Sequence, residues 1–193
     1  MTAQPKLHIP VAEYFARDLH TDEKLEYYAG TIVAQAGATG RHNLIVGNLI
    51  GHLYAQVRRH GCHLFPSDMR VQAIDQAIYT YPDITIVCDP PQYLDQTEIT
   101  LINPTLIIEI LSSSTEARDR KEKLVYYRAI PSLQEYILIG QNGPYVQRYV
   151  RQNSHFWYVH LTDSINELVT LETLQYDLPM ANIYEGIALD EQV

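Results

Sequence analysis

The sequence predicts a single α/β (α+β) domain, residues 1–193, in which a mixed β-sheet is flanked by helices. Two apolar runs, Tyr81–Val87 and Thr105–Leu111, are rich in β-branched residues and are typical of strands buried on both faces. A third stretch, Arg41–His60, has its apolar residues at helical spacing. Because helical and strand patterns alternate along the chain, we expect one domain with a substantial buried core.

The N-terminal part begins with residues 1–10, which contain two prolines and no periodicity. They are predicted to be a flexible tail ahead of a core that spans residues 11–161. Val11–Leu19 has the spacing of a short amphipathic helix, and Tyr27–Val33 has the pattern of a strand or hairpin with Gly30 at its turn.

The central part contains the Arg41–His60 helix, for which Gly61 is a suitable C-terminal stop. His42 lies in the first turn of this helix and is either an ordinary helix-end residue or one that faces a functional site. Two strands are expected next, Leu64–Ile74 and Ala77–Val87, with a turn between them.

The C-terminal part is predicted to contain a buried strand, Leu133–Ile139, followed by a hairpin of Tyr145–Val150 and His155–Leu161. Leu174–Gly186 is expected to pack against the core or against a second copy in a homodimer.

The composition is that of a globular protein, with 46% hydrophobic and 19% charged residues. No apolar run approaches the ~20 residues that span a bilayer, and the N-terminus lacks a charged-then-apolar signal pattern. We therefore expect a cytoplasmic protein with no membrane partner. Cys62 and Cys88 give no disulfide framework, so both are expected to be reduced thiols.

Two acids occupy the apolar runs, where a carboxylate is costly unless it is paired or holds a metal. Asp83 is near the start of the first run and Glu109 near the end of the second. On neighbouring strands they would lie roughly 5 Å apart. Such a pair, with the backbone carbonyl of Ile110, suits Mg²⁺ or Mn²⁺, because hard divalent cations take oxygen ligands.

The segment after Glu109 is predicted to be a charged helix. Ser113-x-x-Glu116 has the pattern of a capping box and places its start at about Ser113. At about 100° per residue, Lys123 falls inside the apolar arc of this helix. A lysine turned inward needs a partner, which Glu109 or Asp83 would provide. Asp119, four residues earlier, would hold the ammonium in place, unless the two form only a surface pair.

These residues resemble the PD-(D/E)XK nuclease superfamily, and most closely a branch of small bacterial proteins classed as restriction endonucleases. The resemblance covers about residues 10–150. It is carried by an ordered set of short motifs: Pro82-Asp83, Glu109-x-x-Ser112, Asp119-Arg-Lys-Glu-Lys123, Tyr127, Glu26 with Gly30, Arg41-His42, Ser67–Val71 and Gln134–Tyr136. One departure is Leu111, which stands where the superfamily has a lysine; the branch relocates that lysine to the following helix, at Lys123.

The resemblance implies a restriction-endonuclease-like fold and Mg²⁺-dependent hydrolysis of DNA, in restriction, defence or mobile-element processing. The implied catalytic residues are Asp83, Glu109, Lys123, Asp119, Glu26 and His42, and the implied metal ligands are Asp83, Glu109 and Ile110. The resemblance makes Glu26 an accessory acid of the site. The alternative is that Glu26 is an exposed acid outside it. Two other functions stay open: a catalytically inactive nucleic-acid-binding or regulatory module with the same fold, and a Mg²⁺-dependent hydrolase of a smaller phosphoester.

The net charge of −9 argues against a general nucleic-acid coat protein, because phosphate binding is driven by basic surface. It does not argue against a nuclease, whose site carboxylates contribute acidity themselves. Five of the 14 basic residues lie within the eleven positions 118–128, either as a DNA-facing group or as a solvated helix face.

Overall fold

The structure is a computed structural model that describes residues 8–35, 37–112 and 115–189. In chain order its strands are β1 (Leu25–Tyr28), β2 (Thr31–Ala34), β3 (His63–Pro66), β4 (Arg70–Ile74), β5 (Ile78–Thr80), β6 (Ile84–Val87), β7 (Thr100–Leu101), β8 (Leu106–Leu111), β9 (Glu135–Gly140), β10 (Val146–Arg151), β11 (Trp157–Thr162), β12 (Leu168–Leu171) and β13 (Tyr176–Pro179). The α-helices are α1 (Val11–Asp18), α2 (Gly40–Arg59), α3 (Glu116–Arg118), α4 (Leu124–Arg128) and α5 (Met180–Ile183). A π-helical turn, Asp119–Lys123, joins α3 to α4, and a 3₁₀ turn spans Glu172–Leu174.

The strands form two larger sheets and a separate hairpin. The first sheet has the order β2-β1-β5-β4-β7, and the second has the order β11-β10-β9-β8-β6-β3. The second sheet is mixed, since β8 and β9 run parallel while its other neighbours are antiparallel. This mixed α+β architecture with flanking helices confirms the predicted fold class.

The predicted strand Ala77–Val87 is instead two strands that belong to different sheets. β5 pairs with β1 and β4 in the first sheet, and β6 pairs with β3 and β8 in the second. Pro82 lies in the gap, where its missing N–H group removes no ladder hydrogen bond. Asp83 therefore occupies the point at which the chain crosses between the sheets.

The predicted strand Leu64–Ile74 is likewise wrong, because Ser67–Met69 form a turn between β3 and β4. The N-terminal hairpin has the expected turn. Ala29 and Gly30 both have positive φ values, 45° and 96°, as the right-handed twist of a two-residue hairpin requires. The hairpin of β10 and β11 also forms where the alternation predicted it.

The main core lies between α2 and one face of the second sheet, where Ile45, Leu49 and Leu53 are buried. The chain after residue 161 adds to this core: Leu174, Leu178, Met180, Ile183 and Tyr184 are all buried within the same cluster. The Leu174–Gly186 segment thus packs inside its own chain, and the homodimer remains a prediction.

Two further expectations are wrong. Cys62 and Cys88 are joined by a disulfide, because Cys62 immediately precedes β3 and Cys88 immediately follows the antiparallel strand β6. Residues 8–10, assigned to a flexible tail, are held in place: the N–H group of Ile9 donates to the carbonyl of Gly30 at 2.9 Å, and the hydroxyl of Tyr27 donates to the carbonyl of Ile9. The remainder of the predicted tail, residues 1–7, lies outside the described residues.

The charged helix after Glu109 is present but differs from a regular α-helix. Its predicted start, Ser113, lies outside the described residues, and α3 begins at Glu116. The π-helical turn that follows carries both Asp119 and Lys123, and both side chains are buried. Across the three described ranges, no helix is long and apolar enough to cross a membrane.

Candidate active site

Asp83 and Glu109 face one another across two antiparallel strands. In the register of β6 with β8, Ile84 pairs with Ile108, and one further step places Asp83 opposite Glu109. Asp83 Oδ2 accepts a hydrogen bond from the backbone N–H of Ile110 at 2.7 Å. This bond holds the carboxylate at the end of β6 against the strand that carries Glu109.

His42 approaches the same carboxylate from α2. Thr39 caps this helix by accepting from the N–H of His42, which fixes the first turn. His42 Nε2 lies 3.1 Å from Asp83 Oδ2, while His42 Nδ1 is buried with no hydrogen-bond partner in the described part of the chain. Of the two interpretations open for His42, the geometry agrees with a residue that faces the site.

Glu109 is buried and accepts two hydrogen bonds at one oxygen. Lys123 Nζ donates to Glu109 Oε1 at 2.9 Å, and the hydroxyl of Tyr127 donates to the same oxygen at 2.8 Å. Tyr127 is in turn hydrogen-bonded to Thr80 at 3.0 Å. Because Oε1 is engaged twice, Oε2 is the Glu109 oxygen more available to a ligand.

Lys123 contacts three carboxylates from three different elements. Besides Glu109 on β8, its ammonium lies 3.3 Å from Glu26 Oε1 on β1 and 3.3 Å from Asp119 Oδ1 in the π-helical turn. Glu26 is held by Tyr28, whose hydroxyl donates to Oε2, and by the backbone N–H of Tyr81. Asp119 and Lys123 are therefore a buried pair, and Glu26 is a buried acid of this cluster.

The pKa values follow from one ammonium among several buried carboxylates. Burial raises the pKa of Glu109 well above its ordinary value, against the opposing effect of Lys123, and the neighbouring acids raise it further. Burial likewise raises the pKa of Asp119. For Lys123, burial alone would lower the pKa, but Glu109 and the other neighbours outweigh it and raise the pKa well above its ordinary value. Lys123 therefore stays protonated at neutral pH.

One cavity of about 790 Å³ brings these groups together. All seven residues that the sequence predicts for the site line it: Glu26, His42, Asp83, Glu109, Ile110, Asp119 and Lys123. Two cationic side chains, Lys24 and Arg118, also line it. The Arg118 guanidinium carbon lies 5.1 Å from the centroid of the Tyr28 ring, which positions this cation at the cavity.

The lining is compatible with a hard divalent cation. Four carboxylates, those of Glu26, Asp83, Glu109 and Asp119, line the cavity, and three of them contact the ammonium of Lys123, so acidic groups outnumber the buried cation. Within the described ranges, no group of three or more His, Cys, Asp or Glu is arranged as a metal site. A Mg²⁺ site needs fewer protein ligands than three, because this ion takes one or two protein carboxylates and fills its other positions with water and phosphate oxygens.

Tyr127 and Tyr28 contact the site although neither is among the predicted site residues; Tyr127 is named only in the motif set of the resemblance. Each donates to a cluster carboxylate, Tyr127 to Glu109 and Tyr28 to Glu26. A signal existed for Tyr127, which follows Lys123 by four positions on the same helical arc. For Tyr28, two positions after Glu26 on one strand, the period of two places both side chains on the same face.

Fold and comparisons together define a restriction-endonuclease-like protein. A solved structure from Anabaena variabilis ATCC 29413, described as a "putative nuclease belonging to DUF820", superimposes with a TM-score of 0.73 and covers 91% of this chain and 97% of its own at 20% identity, which establishes the shared fold. Residues 11–181 match the family described as "Uma2: Putative restriction endonuclease", and the chain belongs to this family.

Two relatives from Synechocystis sp. (strain ATCC 27184 / PCC 6803 / Kazusa) are similar to this chain over most of its length. The protein sll1609 is 34% identical over 164 residues, which is 85% of this chain and 92% of the relative. The protein slr1290 is 30% identical over 176 residues, or 91% of both chains. Family and fold thus support a nuclease.

Proposed function

We propose that this protein is a Mg²⁺-dependent endonuclease that hydrolyses DNA phosphodiester bonds, with Mn²⁺ as an alternative metal, in restriction or defence. The observation that carries the proposal is the position of Lys123: a buried ammonium 2.9 Å from Glu109, on the strand that Asp83 faces across the β6–β8 pair. This arrangement supplies two carboxylates and one cation around a single cavity. It is the set that metal-assisted phosphodiester hydrolysis requires.

The carboxylates of Asp83 and Glu109, with the backbone carbonyl of Ile110, are the groups that would hold the metal. All three residues line the cavity. When bound, Mg²⁺ supplies Lewis-acid stabilisation of negative charge on the phosphoryl oxygens. The neighbouring acids, Glu26 and Asp119, keep the ammonium of Lys123 charged and fix its position through their 3.3 Å contacts.

Lys123 stabilises the negative charge that develops on the phosphate during attack. A preorganised cation in a water-poor site is effective in this role because it needs no reorganisation when the charge forms. The cations Lys24 and Arg118 on the same cavity suit the flanking phosphates of a nucleic acid strand. They provide a local positive field in a chain whose net charge is −9.

The test is nicking of supercoiled plasmid DNA in Mg²⁺ and in EDTA. We expect cleavage by the wild type in Mg²⁺ only, and at least a 100-fold lower rate for Asp83→Asn, Glu109→Gln and Lys123→Met. Asp177→Asn is the matched control, because Asp177 is exposed and outside the cavity. Wild-type rates in the Asp83 or Glu109 variant, or equal cleavage in EDTA, would refute the proposal.

A second candidate is a catalytically inactive DNA-binding or regulatory module, which one observation favours. Both key groups already have protein partners: Asp83 Oδ2 contacts Ile110 and His42, and Lys123 contacts three carboxylates. Titration calorimetry separates the candidates. The nuclease is expected to bind Mg²⁺ or Mn²⁺ in a manner lost in Glu109→Gln, whereas the inactive module would bind DNA without binding the ion.

A further inference from the structure

We infer that a second cavity beside the first one receives an unpaired nucleobase of the substrate strand. This inference rests on the proposed function and specifies its substrate class: nucleic acid in which a base next to the reacting phosphate is single-stranded or extruded. The cavity, which we call the side cavity, has a volume of about 380 Å³, and its lining includes Leu111, Ser112, Arg120, Gln141, Asn142 and Tyr145.

The side cavity adjoins the candidate active site. Ser112 and Gln141 line both cavities. Leu111 and Ser112 follow Glu109 on the chain by two and three residues, which is about 7–10 Å along an extended strand. A nucleic acid strand spans such a distance within a few nucleotides, at ~3.4 Å per stacked nucleotide. When a phosphate lies at Asp83 and Glu109, a neighbouring base of the same strand is therefore within reach of the side cavity.

The charges that line the side cavity favour a neutral ligand over a phosphate. Arg120 is its cation, and Arg120 Nε already donates to Glu116 Oε1 at 2.7 Å. Asp163 adds a second negative charge to the lining. Because two carboxylates and one guanidinium contribute to the lining, it offers no excess positive charge for an anion. A nucleobase carries no charge at neutral pH.

The side chains of Arg120 and Tyr145, which contact one another, offer stacking surfaces for such a base. Arg120 donates from Nη1 to the hydroxyl of Tyr145 and to Gln147, both at 2.8 Å. Its guanidinium carbon lies 4.7 Å from the centroid of the Tyr145 ring. These contacts fix the guanidinium plane and the ring before any ligand arrives. Aromatic rings and guanidinium planes are the usual stacking partners of unpaired bases.

Two amide side chains can address the polar edge of the base. Gln141 accepts a hydrogen bond from Thr39 at Oε1, 2.8 Å, so its NH₂ group is the end available to a ligand. Asn142 is exposed at the rim of the side cavity. Amides read base edges by paired donor and acceptor contacts. A base inside a paired duplex has this edge covered by its complement, so only an unpaired or extruded base can enter.

Gly143 allows the side cavity to be blocked without a change in the backbone. A Cβ atom at this position would meet no atom within 4 Å, and its φ lies outside the left-handed region. Gly143→Leu therefore adds a bulky side chain to the lining of the side cavity at little cost in folding. Gly51→Leu is the matched control, because Gly51 has the same open surroundings on α2 and lines neither cavity.

The experiment measures fluorescence anisotropy of labelled 20-nucleotide probes in EDTA, where no divalent-dependent cleavage occurs. The probes are a single strand, the same strand in a blunt duplex, and that duplex with a three-nucleotide bulge. We expect the wild type to bind the single strand and the bulge at least tenfold more tightly than the blunt duplex. Gly143→Leu should weaken both of those complexes by roughly 5- to 100-fold, the effect of losing one stacked base.

Further outcomes keep the inference apart from the proposed function. Asn142→Ala, an exposed change that leaves the fold intact, should weaken the same two complexes by roughly 2- to 10-fold, the effect of one hydrogen bond. Equal binding by Gly143→Leu and the wild type, or a wild-type preference for the blunt duplex, would refute the inference that the side cavity receives a base. Either result would leave the nuclease proposal standing. Absence of binding to all three probes would overturn the inference, whereas the nuclease proposal is decided separately by plasmid nicking in Mg²⁺.

Discussion

Tyr127 and Glu109 form a hydrogen bond of 2.8 Å between two buried side chains, and the oxygen that Tyr127 contacts is the one that also binds Lys123. The phenol thus determines which oxygen of Glu109 is engaged by the protein. Thr80 supports the phenol from the other side. The orientation of the Glu109 carboxylate depends on this chain of contacts as well as on the ammonium.

We predict that Tyr127→Phe destabilises the protein by about 1–3 kcal/mol, because it leaves Thr80 and Glu109 without one buried partner. Cleavage should fall about tenfold, since the carboxylate is less firmly oriented. Urea denaturation and plasmid nicking measure the two effects. Tyr158→Phe is the control, because Tyr158 is 48% exposed and should change neither quantity. An unchanged free energy of unfolding in Tyr127→Phe would contradict the prediction.

Asp83 and Glu109 show which part of the candidate site can be predicted from the sequence. A carboxylate in a β-branched run signals a cost that only a partner or metal offsets, and this argument needs no knowledge of the fold. Lys123 follows from helical periodicity, since an inward lysine requires an acid nearby. The structure gives Glu109 and Lys123 each other as partners, as these local patterns indicate, and the roles of these residues in catalysis stay predictions.

The parts that the sequence could not provide depend on contacts between distant segments. The crossing of the chain between two sheets at Tyr81–Asp83 follows from pairing with β1 and β8, not from the apolar run itself. The Cys62–Cys88 disulfide depends on the register of β3 with β6. The π-helical turn, in which Asp119 and Lys123 are both buried, departs from the 100° per residue on which the sequence prediction relied.

A second prediction concerns the pH dependence of stability. The pKa of Glu109 is raised in the folded state, chiefly by burial, so the folded protein binds this proton more tightly than the unfolded chain does. Its contribution is therefore fully present below the ordinary value of 4.5 and is lost as the pH rises through the raised value. Glu109→Gln removes this pH-dependent contribution to the free energy of unfolding.

We expect the free energy of unfolding of Glu109→Gln to vary less steeply between pH 4.5 and neutral pH than that of the wild type. Urea denaturation at intervals of half a pH unit measures the difference between the two proteins. Taking the difference removes the contribution of Asp119 and Glu135, whose pKa values are also raised by burial. Asp177→Asn should follow the wild type; parallel curves for all three proteins would refute the assignment to Glu109.

A third prediction concerns Arg118, which lines the cavity and would contact a phosphate of the substrate. Arg118→Ala should weaken DNA binding about equally for all sequences and lower the slope of log K against log salt concentration by about 1, the loss of one phosphate contact. Anisotropy titrations from 50 to ~200 mM salt provide the slope. Arg128→Ala, ten residues along and outside the cavity, is the control. An unchanged slope in Arg118→Ala would remove this residue from the binding surface.

A fourth prediction concerns the disulfide, which closes a loop between residues 26 positions apart. A loop of this length restricts the unfolded chain enough to stabilise the folded state by about 3–4 kcal/mol. Reduction with dithiothreitol, or the double change Cys62→Ala with Cys88→Ala, should lower the free energy of unfolding by this amount in urea. Because Cys62 and Cys88 follow α2 and β6 at the ends remote from His42 and Asp83, the Mg²⁺-dependent cleavage rate of the fraction that remains folded should stay within twofold. Denaturation curves that coincide with and without reductant would show that the bond contributes nothing to stability in solution.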